Sequence, residues 1–339
     1  MLVTYIRSSS YNNYKFCEMQ YFLTYVLGHQ SSSGKKAQLG TIVHKVMEVL
    51  GGCKKILQDS PKKDMVLVDD GLGEVEFTKR GLNTKKFVNS LIKRSYEYYT
   101  EPCIHKYTNA DYKFCDKTTW DGLEYNEGQF DPRKRNIVAS EPHFDITIDE
   151  DWAKYEYELP DGSTATGNLA IKGTIDLVTE VGDGVIEVID WKTGRRLDWA
   201  TGEEKTYRKL TVDPQLLLYY YAISKKFPEY NQAIMSIFFI RDGGPFSMCF
   251  DDSDKANFLG MLKDRFEDIK ANIKPRPISR DRSHWKCTKL CHFCKNDWEG
   301  ENTSMCQYVG NYIDEHGMDK TVADCTAEGF NIGHYEAPG

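Results

Sequence analysis

Asp176, Asp190 and Lys192 flank a Gly182-Asp183-Gly184 turn in the segment GTIDLVTEVGDGVIEVIDWKTG, residues 173–194. Apolar alternation on both sides of the turn predicts an antiparallel hairpin. Centred on Asp183, such a hairpin opposes residues whose numbers sum to 366, and Asp176 and Asp190 are such a pair. Their Cβ atoms would stand roughly 5 Å apart on one face, and Lys192, two residues beyond Asp190, shares that face. Two ionised carboxylates at that spacing repel by about 3 kcal/mol at an effective dielectric near 20, which calls for a proton or a cation between them. Hard oxygen ligands suit Mg²⁺ or Mn²⁺, which keep coordination positions for water and phosphate oxygens. A neighbouring lysine would orient an attacking water or stabilise charge in a phosphoryl transition state. An ordinary surface ladder of Asp and Lys would show the same spacing without chemistry.

Three further features share an order with this hairpin: Gly40-Thr-Ile-Val-His44 before it, Glu141 before its first strand, and Gln215 and Tyr219 after it. Gly-x-x-Asp, then Asp-x-Lys after a hairpin, with a preceding Gly/His helix and a following Gln-x-x-x-Tyr, resembles the RecB-type branch of the PD-(D/E)XK nuclease superfamily. The name-giving Pro is Ile175 here, as is usual in that branch. The resemblance implies an α/β, restriction-endonuclease-like mixed sheet flanked by helices. It also implies DNA hydrolysis with one or two Mg²⁺ or Mn²⁺ ions. His44, Asp176, Asp190 and the Trp191 backbone carbonyl would be ligands, and Lys192 the catalytic cation. Gln215 and Tyr219 would position nucleic acid and the lysine; Glu141 ranks below them. Read from the residues alone, His44 is also compatible with a packed helix histidine, and Gln215 and Tyr219, one turn apart, with packing.

Cys291-His-Phe-Cys294, with Cys287 before it and Cys306 after, has metal-ligand spacing. Relatives with an iron-sulphur staple, AddB-type subunits and CRISPR-adaptation exonucleases, take one cysteine from an N-terminal Ser/Tyr-rich helix and three from the C-terminus. Cys17 in SYNNYKFCEMQYFLTYVLG is similar to that first cysteine. The resemblance thus implies a 4Fe-4S cluster on Cys17, Cys291, Cys294 and Cys306, joining the chain ends. The alternative is zinc on Cys287, Cys291, Cys294 and Cys306, with Cys17 a buried thiol. Cys103, His105 and Cys115, with Cys53, Cys249 and Cys325, carry no assigned role.

Periodicity supplies the elements. A capped helix is expected from Ser8–Ser10 to Gly28, and after a loop over Gln30–Lys36 a short helix from Gly40 bearing His44 and stopped by Gly51-Gly52. A third helix is expected over Thr84–Tyr99. Residues 101–136 show no period and read as a long insertion. Strands follow at Phe144–Ile148, around the Gly182–Gly184 turn, and over Ala233–Ile240 and Phe246–Phe250. Helices are expected from Asp213-Pro214 to Lys226 and from Ser253 to Asn272. The expected organisation is one nuclease domain over 1–310: N-terminal helices (1–100), the insertion (101–136), a catalytic core (137–273) and a cysteine-rich segment (274–310). A tail, 311–339, follows.

The chain has 339 residues, 44 Lys and Arg against 51 Asp and Glu, and a net charge of -7, so it does not coat nucleic acid through a global positive field. Local basic stretches must serve instead. Arg195, Arg196, Lys205, Arg208 and Lys209 follow Lys192 and could track a phosphate backbone, with Gln215 and Tyr219. Lys274–Lys289, with His284 and Trp285, offers a stacking surface for single strands. Ten cysteines in this length are too sparse for a secreted disulfide scaffold, and the N-terminus lacks a signal-peptide core, so a cytoplasmic home is expected. The apolar run Leu216–Ile223 is too short to span a bilayer. Gly28–Lys36 is not a Walker A loop. With no ATPase motif, the expected activity is a standalone exonuclease on single-stranded ends in recombination, repair or processing, borrowing a helicase or recombination partner for duplex. The rival is a non-catalytic nucleic-acid-binding or assembly protein that retains the fold.

Overall fold

The computed structural model describes residues 1–31, 34–103, 105–198, 201–279, 283–295, 297–298 and 301–332. Its central five-stranded sheet has the order Gly244–Cys249, Gln232–Phe239, Val185–Lys192, Leu177–Gly182, Asn136–Ser140. The middle strand, VIEVIDWK, is buried from Ile186 to Trp191, as expected of a strand covered on both faces. It runs antiparallel to Leu177–Gly182 and parallel to Gln232–Phe239. A parallel neighbour requires a crossover, and the helix Pro214–Lys226 supplies it. That helix starts where the sequence places it: the Asp213 side chain accepts from the Gln215 N–H at 2.9 Å, and Pro214 fills the first turn. A second, three-stranded sheet joins Tyr5–Ile6, Ala170–Thr174 and His143–Thr147.

Alternation along the middle strand decides which layer each residue meets. Ile186 and Val188 pack in one core with Leu217 and Leu218 of the crossover helix. Ile189 and Trp191 pack in the other with Val46, Met47 and Leu50 of the helix Lys35–Asp59. Asp190 and Lys192 therefore leave the strand on the crossover-helix side. Buried polar groups cross the sheet on the other side. Arg135 bonds both Thr179 (3.0 Å) and Glu187, and Glu187 accepts from Ser236 Oγ at 2.5 Å.

Several expected elements differ. The helix bearing His44 does not stop at Gly51-Gly52 but runs 25 residues, Lys35–Asp59. These glycines are contact sites: a Cβ on Gly51 would lie 2.6 Å from Ser140 Oγ and 3.2 Å from Leu177 Cδ1. Close approach of helix and sheet outweighs the poor helix propensity of glycine. Gly51→Leu is accordingly expected to cost about 1–3 kcal/mol by overpacking, read as a lower urea midpoint at unchanged slope.

Residues 101–136 are not a structureless insertion. Asn109–Glu124 is a 16-residue helix, capped by Thr108 and Asp111, whose Cys115 is buried against Leu39, Ile42 and Val43. Its inner face is Cys115, Thr118, Thr119, Gly122 and Leu123, small or hydroxylated residues that hide the hydrophobic period. The N-terminal helix breaks at Cys17, which is extended (φ -163°, ψ 113°) between Ser8–Phe16 and Glu18–Tyr21; a π-helical turn, Phe22–Val26, follows. The expected tail holds helices, Met305–His316 and Met318–Cys325, hinged at Gly317 (φ 82°). Residues 333–339 of that tail, and 32–33 of the expected loop at 30–36, lie outside the described residues. Among the described residues no helix is long and apolar enough to cross a membrane.

Candidate active site

The hairpin register is the expected one. Leu177 faces Ile189, Val178 faces Val188 and Glu180 faces Ile186, with a single shift next to the turn between Ile186 and Val185. The ladder ends one pair before Asp176 and Asp190. Asp176 has left the strand, and its Oδ2 accepts from the Trp191 backbone N–H at 2.8 Å. This bond fixes the carboxylate over the end of the middle strand. Its other oxygen, Oδ1, lies 3.4 Å from His44 Nδ1.

His44 reaches this point because of the glycine one turn before it. A Cβ on Gly40 would meet Thr193 Oγ1 at 2.7 Å, so the helix can lie against the residue after Lys192 only with glycine there. Lys192 Nζ stands 2.7 Å from Asp190 Oδ2. Gln215, on the crossover helix, donates through Nε2 to Asp190 Oδ1 (3.3 Å) and to the Tyr219 hydroxyl (2.9 Å). His44, Asp176, Asp190, Lys192, Gln215 and Tyr219 are thus one connected group drawn from two helices and the hairpin.

Asp190 is only 2 % exposed. Burial lifts its carboxyl to about 6; Lys192 works against this and Asp176 adds to it. Burial acts upward on Asp176 too, but His44 and Lys192 outweigh it and hold that carboxyl below its usual range. For His44, burial acts downward and the Asp176 carboxylate prevails, leaving the imidazole more basic than usual. Burial and the nearby Asp190 keep Tyr219 a neutral phenol.

Two more carboxylates adjoin the pair. Glu141, at φ 46°, donates its N–H to the Asp176 carbonyl at 3.1 Å. Burial first, and then Asp176, raise its pKa. Glu48 is raised to about 7 by burial, with Glu141 adding to the shift and its 2.7 Å partner Lys45 opposing it. Glu48 and Lys45 were not among the expected site residues. The available signal was the spacing of four between His44 and Glu48, which puts both on one helix face.

The geometry admits a divalent cation. Asp190 Oδ2 is buried 2.7 Å from the Lys192 ammonium. Two carboxylates and an imidazole are ligand types that suit Mg²⁺ or Mn²⁺, which bind through few protein groups and retain water. Among the described residues no three His, Cys, Asp or Glu side chains form a ready-made metal-holding group.

The family model of the PD-(D/E)XK nuclease superfamily matches residues 8–297. The chain belongs to that superfamily. No curated protein matches the sequence. Among solved structures, it is similar to a candidate exonuclease from Eubacterium rectale, at 12% identity and TM-score 0.42, covering 92% of this chain and 93% of that one. It is also similar to SSO0001, at 12% identity and TM-score 0.25, covering 77% of this chain and 95% of that one.

Outside the site that the superfamily is named for, the cysteines gather. Cys17, Cys287, Cys291, Cys294 and Cys306 are all buried in one core. Burial, then Cys17, raise the Cys291 thiol to about 11, and burial, then Cys17, Cys294, Cys291 and Cys287, push Cys306 up further. The N-terminal thiol thus shares a core with the C-terminal ones. Backbone and side-chain hydrogen bonds join the same two parts of the chain: Arg276 N–H donates to Glu18 Oε2 at 2.9 Å, and Met19 N–H to the Arg276 carbonyl at 3.3 Å.

Much of the first basic stretch is paired internally. Lys205 meets Asp213 at 2.5 Å, Lys209 meets Glu203 at 2.6 Å, and Arg196 pairs with Glu204. Arg195 and Arg208 are exposed, with no ion pair among the described residues. In the second stretch Trp285 is 58% exposed and stacks on His284; residues 280–282 lie outside the described residues.

Proposed function

We propose that this chain is a metal-dependent exonuclease that hydrolyses phosphodiester bonds at single-stranded DNA ends. The observation that supports this best is the convergence of His44, Asp176, Asp190 and Lys192, with the buried Asp190 carboxylate 2.7 Å from the Lys192 ammonium. Asp176, Asp190, His44 and the Trp191 carbonyl would hold the ion. A bound Mg²⁺ or Mn²⁺ would polarise the phosphoryl oxygen and lower the pKa of a water. Lys192 stabilises charge developing on the phosphoryl group, and Gln215 and Tyr219 hold Asp190 in place. Arg195, Arg196, Lys205, Arg208 and Lys209 contact the backbone, Lys205, Lys209 and Arg196 after exchanging their internal carboxylates for phosphate. Glu141 supports Asp176. Entry to duplex would need a helicase or recombination partner, in DNA repair or recombination.

Linear and circular single-stranded DNA, each digested with Mg²⁺ or Mn²⁺, test the activity and its need for an end. The linear form is expected to shorten from its end while the circle stays intact. Cutting of the circle would make the enzyme an endonuclease, and no cutting of either would leave the non-catalytic reading.

We also propose a 4Fe-4S cluster on Cys17, Cys291, Cys294 and Cys306, with Cys287 as competing ligand and zinc as the alternative. Buried thiols from both parts of the chain, in one core, support it, although as placed they form no closed ligand set. Protein purified without oxygen is expected to carry iron that Cys17→Ser loses. Zinc retained in Cys17→Ser would refute the proposal.

A further inference from the structure

A cavity of about 480 Å³ opens beside Lys192, between the helix Ser8–Phe16 and the ends of the strands Val185–Lys192 and Gln232–Phe239. That volume lies in the range of small-ligand sites, about 300–1,000 Å³. No carboxylate lines it among the described residues, although the chain carries 51 acidic residues and Asp190 is two positions from Lys192.

The lining is of three kinds. Ile237, Phe239 and Leu290 present apolar surface. Asn12, Asn13 and Gln20 present amides. Lys192 and Arg195 add positive charge. Apolar surface suits the face of a base, amides suit a base edge, and the cations suit a phosphate.

We infer that this cavity seats the unpaired terminal nucleotide of the strand being cut, with the helix Ser8–Phe16 as its wall. The inference rests on the nuclease reading above and adds to it a residue-level source of preference for single strands. A paired base has its hydrogen-bonding edge occupied and carries a second strand that a cavity of this volume excludes. A frayed end offers both the free edge and the phosphate beside Lys192. Asn12, Asn13 and Gln20 act as positioning residues, since they hold the nucleotide and take no part in bond cleavage.

Asn12→Asp and Asn13→Asp each place a carboxylate in the cavity at nearly unchanged volume, and Asn12 is exposed, so its variant keeps the fold. Steady-state digestion of a linear single-stranded oligonucleotide by the full chain reads the effect. The expected result is a KM higher by about tenfold or more, a factor worth about 1.4 kcal/mol, with kcat close to wild type and a reduced preference for single-stranded over blunt duplex ends. Unchanged KM and unchanged preference in both variants, while the wild type cuts, would overturn the assignment of the cavity alone. A wild-type chain that cuts no DNA overturns both the cavity assignment and the nuclease reading.

Discussion

Asp190→Ala is expected to lower kcat for DNA hydrolysis by about 10³-fold or more, because Asp190 would hold the ion that stabilises developing charge, and loss of such stabilisation costs on the order of 10²–10³. The fold should survive. Asp190 is buried with its carboxyl raised to about 6, first by burial. A carboxyl whose pKa is higher folded than unfolded stabilises the protein most at low pH, and that stability is lost as pH rises from about 4 through 6. In metal-free buffer at pH 8, Asp190→Asn should therefore melt at or above the wild-type temperature, and the difference should vanish near pH 4. Melting well below wild type at pH 8 would mean that lost activity reflects unfolding.

Glu187→Ala is expected to give the largest loss of stability. Glu187 is 7 % exposed in the middle strand, where it takes hydrogen bonds from Arg135 and from Ser236 Oγ at 2.5 Å. Ser236 also contacts Ser247 at 2.7 Å and Arg135 bonds Thr179, so the network crosses four strands. Truncation leaves the largely buried Arg135 guanidinium without its counter-charge, at a cost of about 3–5 kcal/mol. Thermal melting should fall by about 10 °C. Replacing both Arg135 and Glu187 by leucine should recover most of the loss, since the pair then disappears together with its desolvation. A single variant within about 1 kcal/mol of wild type would show that the network carries no such energy.

The site was legible where chemistry and local geometry coincide. The turn at Gly182–Gly184 fixed the register that brings Asp176 and Asp190 to the same end of the hairpin, and the Asp213-Pro214 cap started the helix that aims Gln215 at Asp190. What the sequence concealed depends on tertiary contact. Gly51 and Gly52 read as a stop because propensity knows nothing of Ser140 and Leu177 against the first or Leu67 against the second. The helix Asn109–Glu124 was invisible because its inner face is threonine, glycine and cysteine. Cys17 read as a position within one helix, whereas the chain turns there and carries the thiol to the C-terminal cysteines. Glu48 went unnoticed because its link to Asp176 runs through Glu141, far away in sequence. The internal pairing of Lys205 and Lys209 likewise follows from chain folding that composition does not report.

The most direct test is loss of end label from single-stranded DNA incubated with the full chain in Mg²⁺, in Mn²⁺ and in EDTA, with Asp190→Ala and Lys192→Ala alongside. The account predicts label loss by the wild type with at least one of the ions, none in EDTA, and none above background by either variant. No label loss under either ion, or loss by Asp190→Ala at the wild-type rate, would contradict it.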